Sequence, residues 1–384
     1  MKPTDCFDYK NGALQAEGVS IAALAQELGT PLYVYSARGF RSGYEEFCAG
    51  LAPLKNFTIC YALKSNSNLA IIRLLAQLGA GADLVSLGEL ERARLAGVSG
   101  SKIVFSGVGK TPEEVRAGLE FPGGPITSFH VESLEELQMI NRVAQELGRG
   151  PARIAFRFNP NINPKTHPYI STGLKKNKFG LSASELRAAI QMLPSLKGVQ
   201  LCGLSMHIGS QLTELRPIRD GLKLLSQEVL RTEASLGHQL EFVDIGGGIG
   251  IRYKDEKPPT ISQYCKEVVR VFGPKSEFKS RLRIMLEPGR VLSGNSGVLV
   301  SRVLYRKSRK EKDFLIIDAA MNDLARPAMY EAYHHIVPVR ESQSAPVVYD
   351  VVGPVCETGD FLALDRDVDD VASGDLMVVH GAGA

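Results

Sequence analysis

Between residues 37 and 290 the chain alternates short β-branched runs with longer segments of helical period, and that alternation restricts the fold more than any single residue does. The runs fall at 57–62, 81–85, 102–106, 126–131, 152–158, 199–207, 241–245 and 282–287. Between them, 69–78, 133–147, 182–193, 217–236 and 261–272 carry apolar residues three and four apart, the spacing of amphipathic helices. Eight such units predict an α/β fold, a TIM-type (β/α)8 barrel, over residues 37–290. After Arg290 the character changes. Segments at 297–305, 314–318, 346–352 and 376–380 follow one another without long helices, which predicts a second, all-β domain over 291–384. The first 36 residues, with Leu32-Tyr33-Val34-Tyr35, are too short for a domain and are expected to lend it a strand. No internal repeat beyond the βα alternation and no low-complexity segment stands out.

Barrels of this kind place their chemistry at the carboxyl ends of the strands. Here those ends carry Lys64, Asp83, Ser106, His130, Arg157 with Asn159, His207, Gly246-Gly247-Gly248 and Glu287. Polar loops alone would explain Ser and Asn, but not a Lys, two His, an Arg and a Glu together. Lys64 is either a solvated strand terminator or an amine for Schiff-base chemistry, its pKa lowered by burial at a pocket floor. The run Gly246 to Gly250 after an apolar strand is either a tight turn or a backbone cradle for a phosphate. It lacks the G-x-G-x-x-G spacing of a dinucleotide site. Glu287, in Glu287-Pro288-Gly289-Arg290, is either half of a structural ion pair or the carboxylate that keeps a pyridinium nitrogen protonated, as a pyridoxal phosphate electron sink requires. His207 is either a core histidine with a backbone partner or a ring stacked on a flat cofactor, with Ser210 donating to the phosphate.

Composition excludes several classes. The net charge of +3 is spread along the chain, and its densest basic run, Arg302 to Lys312, is interrupted by Leu304, Tyr305, Ser308 and Glu311, so it reads as a solvated strand edge or turn rather than a nucleic-acid surface. The six cysteines show neither CxxC pairing nor regular spacing, which fits reduced thiols in a cytoplasmic protein. Neither a signal peptide nor a membrane-spanning run is expected. No His or Cys pair has zinc spacing and the acids form no cation cage, so a metal mechanism has no support in the sequence.

Taken in order, Tyr61-Ala62-Leu63-Lys64-Ser65-Asn66, Gly81-Ala82-Asp83, His207-Ile208-Gly209-Ser210, Gly246-Gly247-Gly248, Glu287-Pro288-Gly289-Arg290 and Cys356-Glu357-Thr358-Gly359-Asp360 resemble the alanine-racemase-like, pyridoxal-phosphate-dependent amino-acid decarboxylases. The likeness runs through almost the whole chain. Within that family, the stretch Ser171 to Gly180 and the stretch Met321 to Tyr330 are more similar to the diaminopimelate-specific enzymes than to the ornithine or arginine enzymes.

The resemblance implies decarboxylation of meso-2,6-diaminopimelate to L-lysine and CO2, the last step of lysine biosynthesis. It implies that Lys64 carries pyridoxal 5'-phosphate covalently, that His207 stacks on the ring, and that Glu287 meets the pyridine nitrogen. Asp83, Arg157, Ser210, Gly246, Gly247, Gly248, Gly289 and Arg290 would complete the cofactor surroundings. Arg290, Arg326 and Tyr330 would bind the substrate's distal carboxylate, for which guanidinium donors are apt. Glu357 would meet the distal amino group. Cys356, which outside this motif would read as a buried apolar residue, would protonate the carbanion left by CO2. In the family Cys356 and Glu357 reach into the partner subunit's site, which implies a homodimer. The family continues past the equivalent of Gly381 to Ala384 with a Tyr that touches cofactor and substrate and with closing strands. The end at Ala384 is therefore expected to mark either a truncated chain, with an unpaired sheet edge, or a protein lacking that contact. The rivals are a decarboxylase of ornithine, arginine or carboxynorspermidine, a catalytically silent regulatory relative, and a cofactor-free Schiff-base aldolase.

Overall fold

The computed structural model describes residues 6–162, 177–342 and 344–384. Contacts divide the chain into two compact units, one of residues 1–40, 251–257 and 292–384, the other of 41–250 and 258–291. The segment 251–257, inside the span expected for the barrel, belongs to the first unit.

That first unit begins with strands β1 (Phe7–Lys10), β2 (Ala13–Ala16) and β3 (Val19–Ser20), which form a small antiparallel sheet, followed by β4 (Leu32–Tyr35). The amino-terminal segment thus supplies the expected strand and a sheet of its own. The second unit holds β5 (Phe57–Ala62), β6 (Gly81–Leu84), β7 (Ile103–Phe105), β8 (Ser128–Val131), β9 (Ala152–Arg157), β10 (Val199–Ser205), β11 (Phe242–Asp244) and β12 (Arg283–Leu286). These pair in parallel in sequence order, and β12 returns to β5 to close the barrel. The strands are near-continuously buried, as parallel strands covered on both sides must be. Cys60, Val104, Ala155, Cys202, Phe242 and Met285 pack together as an interior plug. Phe242 reaches so far inward that a Cβ on Gly203 of β10 would lie 2.7 Å from its ring.

Helices cover the outside. Ile261–Phe272 buries Ile261, Tyr264, Cys265, Val268 and Phe272, one stripe at i, i+3, i+4, i+7 and i+11. Each large apolar side chain so buried contributes about 1.5–3 kcal/mol. Thr260 starts this helix by accepting the Gln263 N–H while the Gln263 side chain accepts the Thr260 N–H, and Ser182 with Glu185 does the same for Ala183–Met192. Among the described residues, no helix is long and apolar enough to cross a membrane.

The rest of the first unit is β13 (Gly297–Ser308), β14 (Asp313–Ile317), β15 (Ile336–Pro338), β16 (Val347–Val352), β17 (Phe361–Val368) and β18 (Leu376–Val379). They run in the order β15-β18-β13-β14-β16-β17, with β4 also paired to β13. Successive residues of β13 serve two cores by strand alternation. Leu299 and Val303 face a cluster with Leu315, Ile317, Tyr349 and Val379, whereas Val298 and Val300 face one with Phe7, Leu14, Ile21 and Val378. The basic run from Arg302 is the outer end of β13 and its turn into β14, exposed from Tyr305 through Glu311.

Candidate active site

The barrel brings most of the expected residues to one end. Asp83 and His130 sit within β6 and β8 and Arg157 ends β9, while Lys64, Ser106, His207 and Glu287 lie one or two residues past β5, β7, β10 and β12. Lys64, on the short 3-10 turn Leu63–Ser65, is ion-paired to the fully buried Asp83. Its side chain is 45% accessible although protein atoms surround it closely, so it lines a concave surface.

The charge of Lys64 is the reverse of the sequence expectation. Burial does work against its ammonium, but the carboxylates of Asp83 and then Glu287 outweigh that and hold its pKa above the ordinary lysine value. Burial and then the charge of Glu287 raise Asp83, so its carboxylate has an unusual affinity for a proton.

Glu287 is buried, and Ser106 Oγ donates to its Oε1 over 3.3 Å. His130 Nδ1 lies 3.5 Å from the same oxygen. Burial alone would raise Glu287, yet the hydrogen bond from His130 and the charge of Lys64 hold it well below the carboxylate range. Below it Asp244 Oδ1 accepts the Gly246 N–H over 2.8 Å, and its Oδ2 is 4.0 Å from His130 Nε2. Burial, then Glu287, push Asp244 far up. Ligand atoms of His130, Asp244 and Glu287 lie within 4.8 Å of one another, a grouping that three separate strands create and that no sequence spacing shows. The contacts among them are those of an imidazole between two carboxylates.

The ring of His207 accepts the Gly247 N–H at Nδ1 over 3.2 Å, so the nitrogen carries a lone pair and the ring is neutral. Burial first, and the Arg157 charge second, pull its pKa down to about 3. The glycine triplet is required by packing. Cβ atoms on Gly246, Gly247 and Gly248 would lie 2.4 Å from Met206 O, 2.1 Å from Glu287 O and 2.3 Å from Gly209 O, and Gly246 and Gly248 have φ of +67° and +111°. Ser210 Oγ accepts from Arg290 Nε over 3.2 Å beside this loop, and a Cβ on Gly289 would be 3.0 Å from Ser65.

Two residues that sequence reasoning missed tie the site together. Glu132, just past β8, accepts from Arg157 over 2.7 Å, from Gly107 N–H over 3.0 Å and from Gly180 N–H over 3.0 Å. Its position two residues after His130, on the same strand face, was the available cue. Asp244, a carboxylate inside an apolar barrel strand, was the other. Asn159 donates to Phe179 O over 2.8 Å, and Arg157 lies over the Phe179 ring.

Arg326, Tyr330, Cys356 and Glu357 belong to the first unit. Arg326 opens the short helix Arg326–Tyr330 and packs its guanidinium 4.3 Å over the Tyr253 ring. Cys356 and Glu357 are exposed, so the reading of Cys356 as a buried apolar residue is excluded. Asp360 shapes their loop by accepting from Met321 N–H over 2.6 Å and Val355 N–H over 2.8 Å. Ser171 to Lys176, part of the stretch similar to the diaminopimelate-specific enzymes, and the Lys175 to Lys176 part of its lysine-rich loop lie outside the described residues.

Residues 44–294 match the family model of the pyridoxal-dependent decarboxylase, pyridoxal binding domain. Over 381 residues the chain is 46% identical to a diaminopimelate decarboxylase of Pseudomonas aeruginosa, covering 99% of this chain and 89% of the relative. A crystal structure of diaminopimelate decarboxylase from M. jannaschii in co-complex with L-lysine superposes with a TM-score of 0.92 at 40% identity, covering 100% of this chain and 89% of that one. One from Helicobacter pylori complexed with L-lysine gives 0.86 at 39% identity, covering 94% and 88%.

Proposed function

From its place among the pyridoxal-dependent diaminopimelate decarboxylases, the family to which this chain belongs, we infer that it converts meso-2,6-diaminopimelate to L-lysine and CO2. The observation that carries the reading on the structural side is the convergence of an accessible lysine, a buried anionic glutamate and a glycine loop at one end of the barrel. These residues fit pyridoxal 5'-phosphate. Lys64 offers the only kind of side chain that can hold an aldehyde as a Schiff base, and the approaches at Gly246 to Gly248 keep side chains out of a backbone surface suited to phosphate. When bound, the group supplies a protonated ring that accepts the electron pair released as CO2 departs.

The chain's own residues would act around it as follows. Lys64 is stored as an ammonium by Asp83 and Glu287 and must lose a proton before it can bond to carbon. Glu287 stays an anion through His130 and Ser106, the state needed to face a protonated ring nitrogen. His207 stays neutral, so it can lie against a ring without repelling its positive charge. Arg157, aligned by Glu132, with Ser210, Gly289 and Arg290, would complete the surroundings of the phosphate and substrate. Arg326 and Tyr330 would bind the distal carboxylate, Glu357 the distal amino group, and Cys356 would return the proton.

The exposure of Cys356 and Glu357 supports a homodimer in which they enter the partner subunit's site. All six cysteines are free, which supports a reducing, cytoplasmic setting. Lys64→Ala should abolish CO2 release from meso-diaminopimelate and the visible absorbance of the covalently held cofactor. Full turnover in that variant would overturn the assignment. Faster release from ornithine or arginine than from diaminopimelate would overturn the role of Arg326 and Tyr330.

A further inference from the structure

His334 is fully buried in the first unit, and both of its ring nitrogens are engaged. Nε2 lies 3.0 Å from Arg326 Nη1, and Nδ1 lies 2.9 Å from the carbonyl oxygen of His380. A guanidinium can only donate and a carbonyl can only accept, so the two partners dictate the ring's protonation. Nε2 must carry a lone pair and Nδ1 a hydrogen. His334 is therefore a neutral imidazole of fixed tautomer, joining the backbone at the end of β18 to the Arg326 side chain.

Tyr253 holds the same pair from another direction. Its ring lies 4.3 Å beneath the Arg326 guanidinium and meets the His334 ring edge-on, with centroids 5.2 Å apart at 70°. A face contact alone leaves a guanidinium able to turn in its own plane. An in-plane acceptor removes that freedom, so the face and the edge contact together leave one orientation. The bond to His334 uses Nη1, one of several donors on a fork whose geometry suits a carboxylate.

We propose that His334 is a positioning residue for substrate selection, which fixes the Arg326 fork so that it meets the carboxylate at the far end of the substrate. The inference rests on the assignment of Arg326 to that carboxylate. His334 itself, with no accessible surface and both nitrogens committed, does not touch the substrate. Pre-orientation of Arg326 favours ligands that carry the carboxylate over those that lack it, because the ordering cost is met before binding.

The test compares L-lysine with cadaverine, the same diamine without the carboxylate, as competitive inhibitors of the holoenzyme. His334→Asn keeps a donor where Nδ1 was and loses the acceptor facing Arg326. His334→Gln places an amide oxygen near the Nε2 position and restores that acceptor. The expected result is about a tenfold or larger loss of lysine binding in the Asn variant, with cadaverine unchanged and the cofactor's absorbance and the melting temperature retained. The Gln variant should recover most of the lysine affinity. Equal effects on lysine and cadaverine, or equal effects of Asn and Gln, overturn the inference. Arg326→Gln separates the two levels. If it leaves the lysine-to-cadaverine ratio unchanged, the assignment of Arg326 fails; if it collapses the ratio and His334→Asn does not, only the role of His334 fails. Should the Asn variant not fold, 15N spectroscopy of the histidines in the unaltered holoenzyme decides, since a charged ring or an Nε2–H tautomer at His334 refutes the geometry.

Discussion

Replacing His207 by Gln should flatten the acid side of the stability curve by about 2 kcal/mol between pH 7 and pH 5. In the unfolded chain a histidine takes up its proton near pH 6.5. In the folded barrel burial, with the Arg157 charge behind it, delays that uptake to about 3. Throughout the interval between the two values the unfolded state binds more protons, so stability falls as the pH falls, at a limiting rate of about 1.4 kcal/mol per pH unit. Following the unfolded-state titration from pH 7, just above its midpoint, down to pH 5 gives about 2 kcal/mol. The side chain is 17% exposed, so solvent screening takes little from this figure. His335 and His380, both lowered to about 4 by burial, act in the same direction but remain in the variant. They cancel in the comparison. The assay is urea unfolding of cofactor-free protein at both pH values, wild type and variant, taking the difference of the two losses. The Gly247 N–H partner lost in the variant affects both pH values alike. Parallel losses in the two proteins would show that His207 titrates normally when folded, and the neutral-ring argument would fall.

Gly247→Ala must push a Cβ to 2.1 Å from the backbone oxygen of Glu287, so it should cost about 1–3 kcal/mol and weaken cofactor binding, whereas Gly109→Ala, with open space around it, should do neither. Equal cofactor affinities in titrations of the two variants would refute the close-approach argument. Lys110 Nζ, buried, donates to Gly107 O over 2.7 Å, His130 O over 2.6 Å and Glu136 Oε1 over 2.6 Å. Lys110→Met should therefore destabilise the barrel by about 3–5 kcal/mol in urea unfolding, and adding Glu136→Gln should recover a good part by removing the stranded charge. A single variant within ~0.5 kcal/mol of wild type would contradict this.

What the sequence disclosed followed from locality. The helices Leu69–Leu78 and Ile261–Phe272 match the expected ranges because their apolar stripes and caps lie within a dozen residues. All eight barrel strands stand where β-branched runs placed them, six of them ending one or two residues earlier than expected. β17 was missed. Its Leu364-Asp365-Arg366-Asp367 interior breaks the apolar alternation on an exposed face. The sign of the Lys64 shift is not legible in the sequence, because burial can be guessed from a strand end, whereas the two carboxylates that reverse it arrive from β6 and from the end of β12. Glu132 and His334 are illegible for a related reason: part of what each one holds, Gly180 for one and His380 for the other, lies more than forty residues away.

The pairing of β4 with β13 sets a schedule for the nascent chain. Leu32 to Tyr35 meet their partners Gly297 to Val300 only after roughly 260 further residues have been made. At ~5–20 residues per second that is a wait of roughly 13 to 52 s. During it, the whole barrel emerges while an apolar strand of the amino-terminal segment has no ladder to join. Such an edge is an opening for pairing with a neighbouring polysome's chain. Yield in the cell should thus respond to translation speed and holdase supply during that interval.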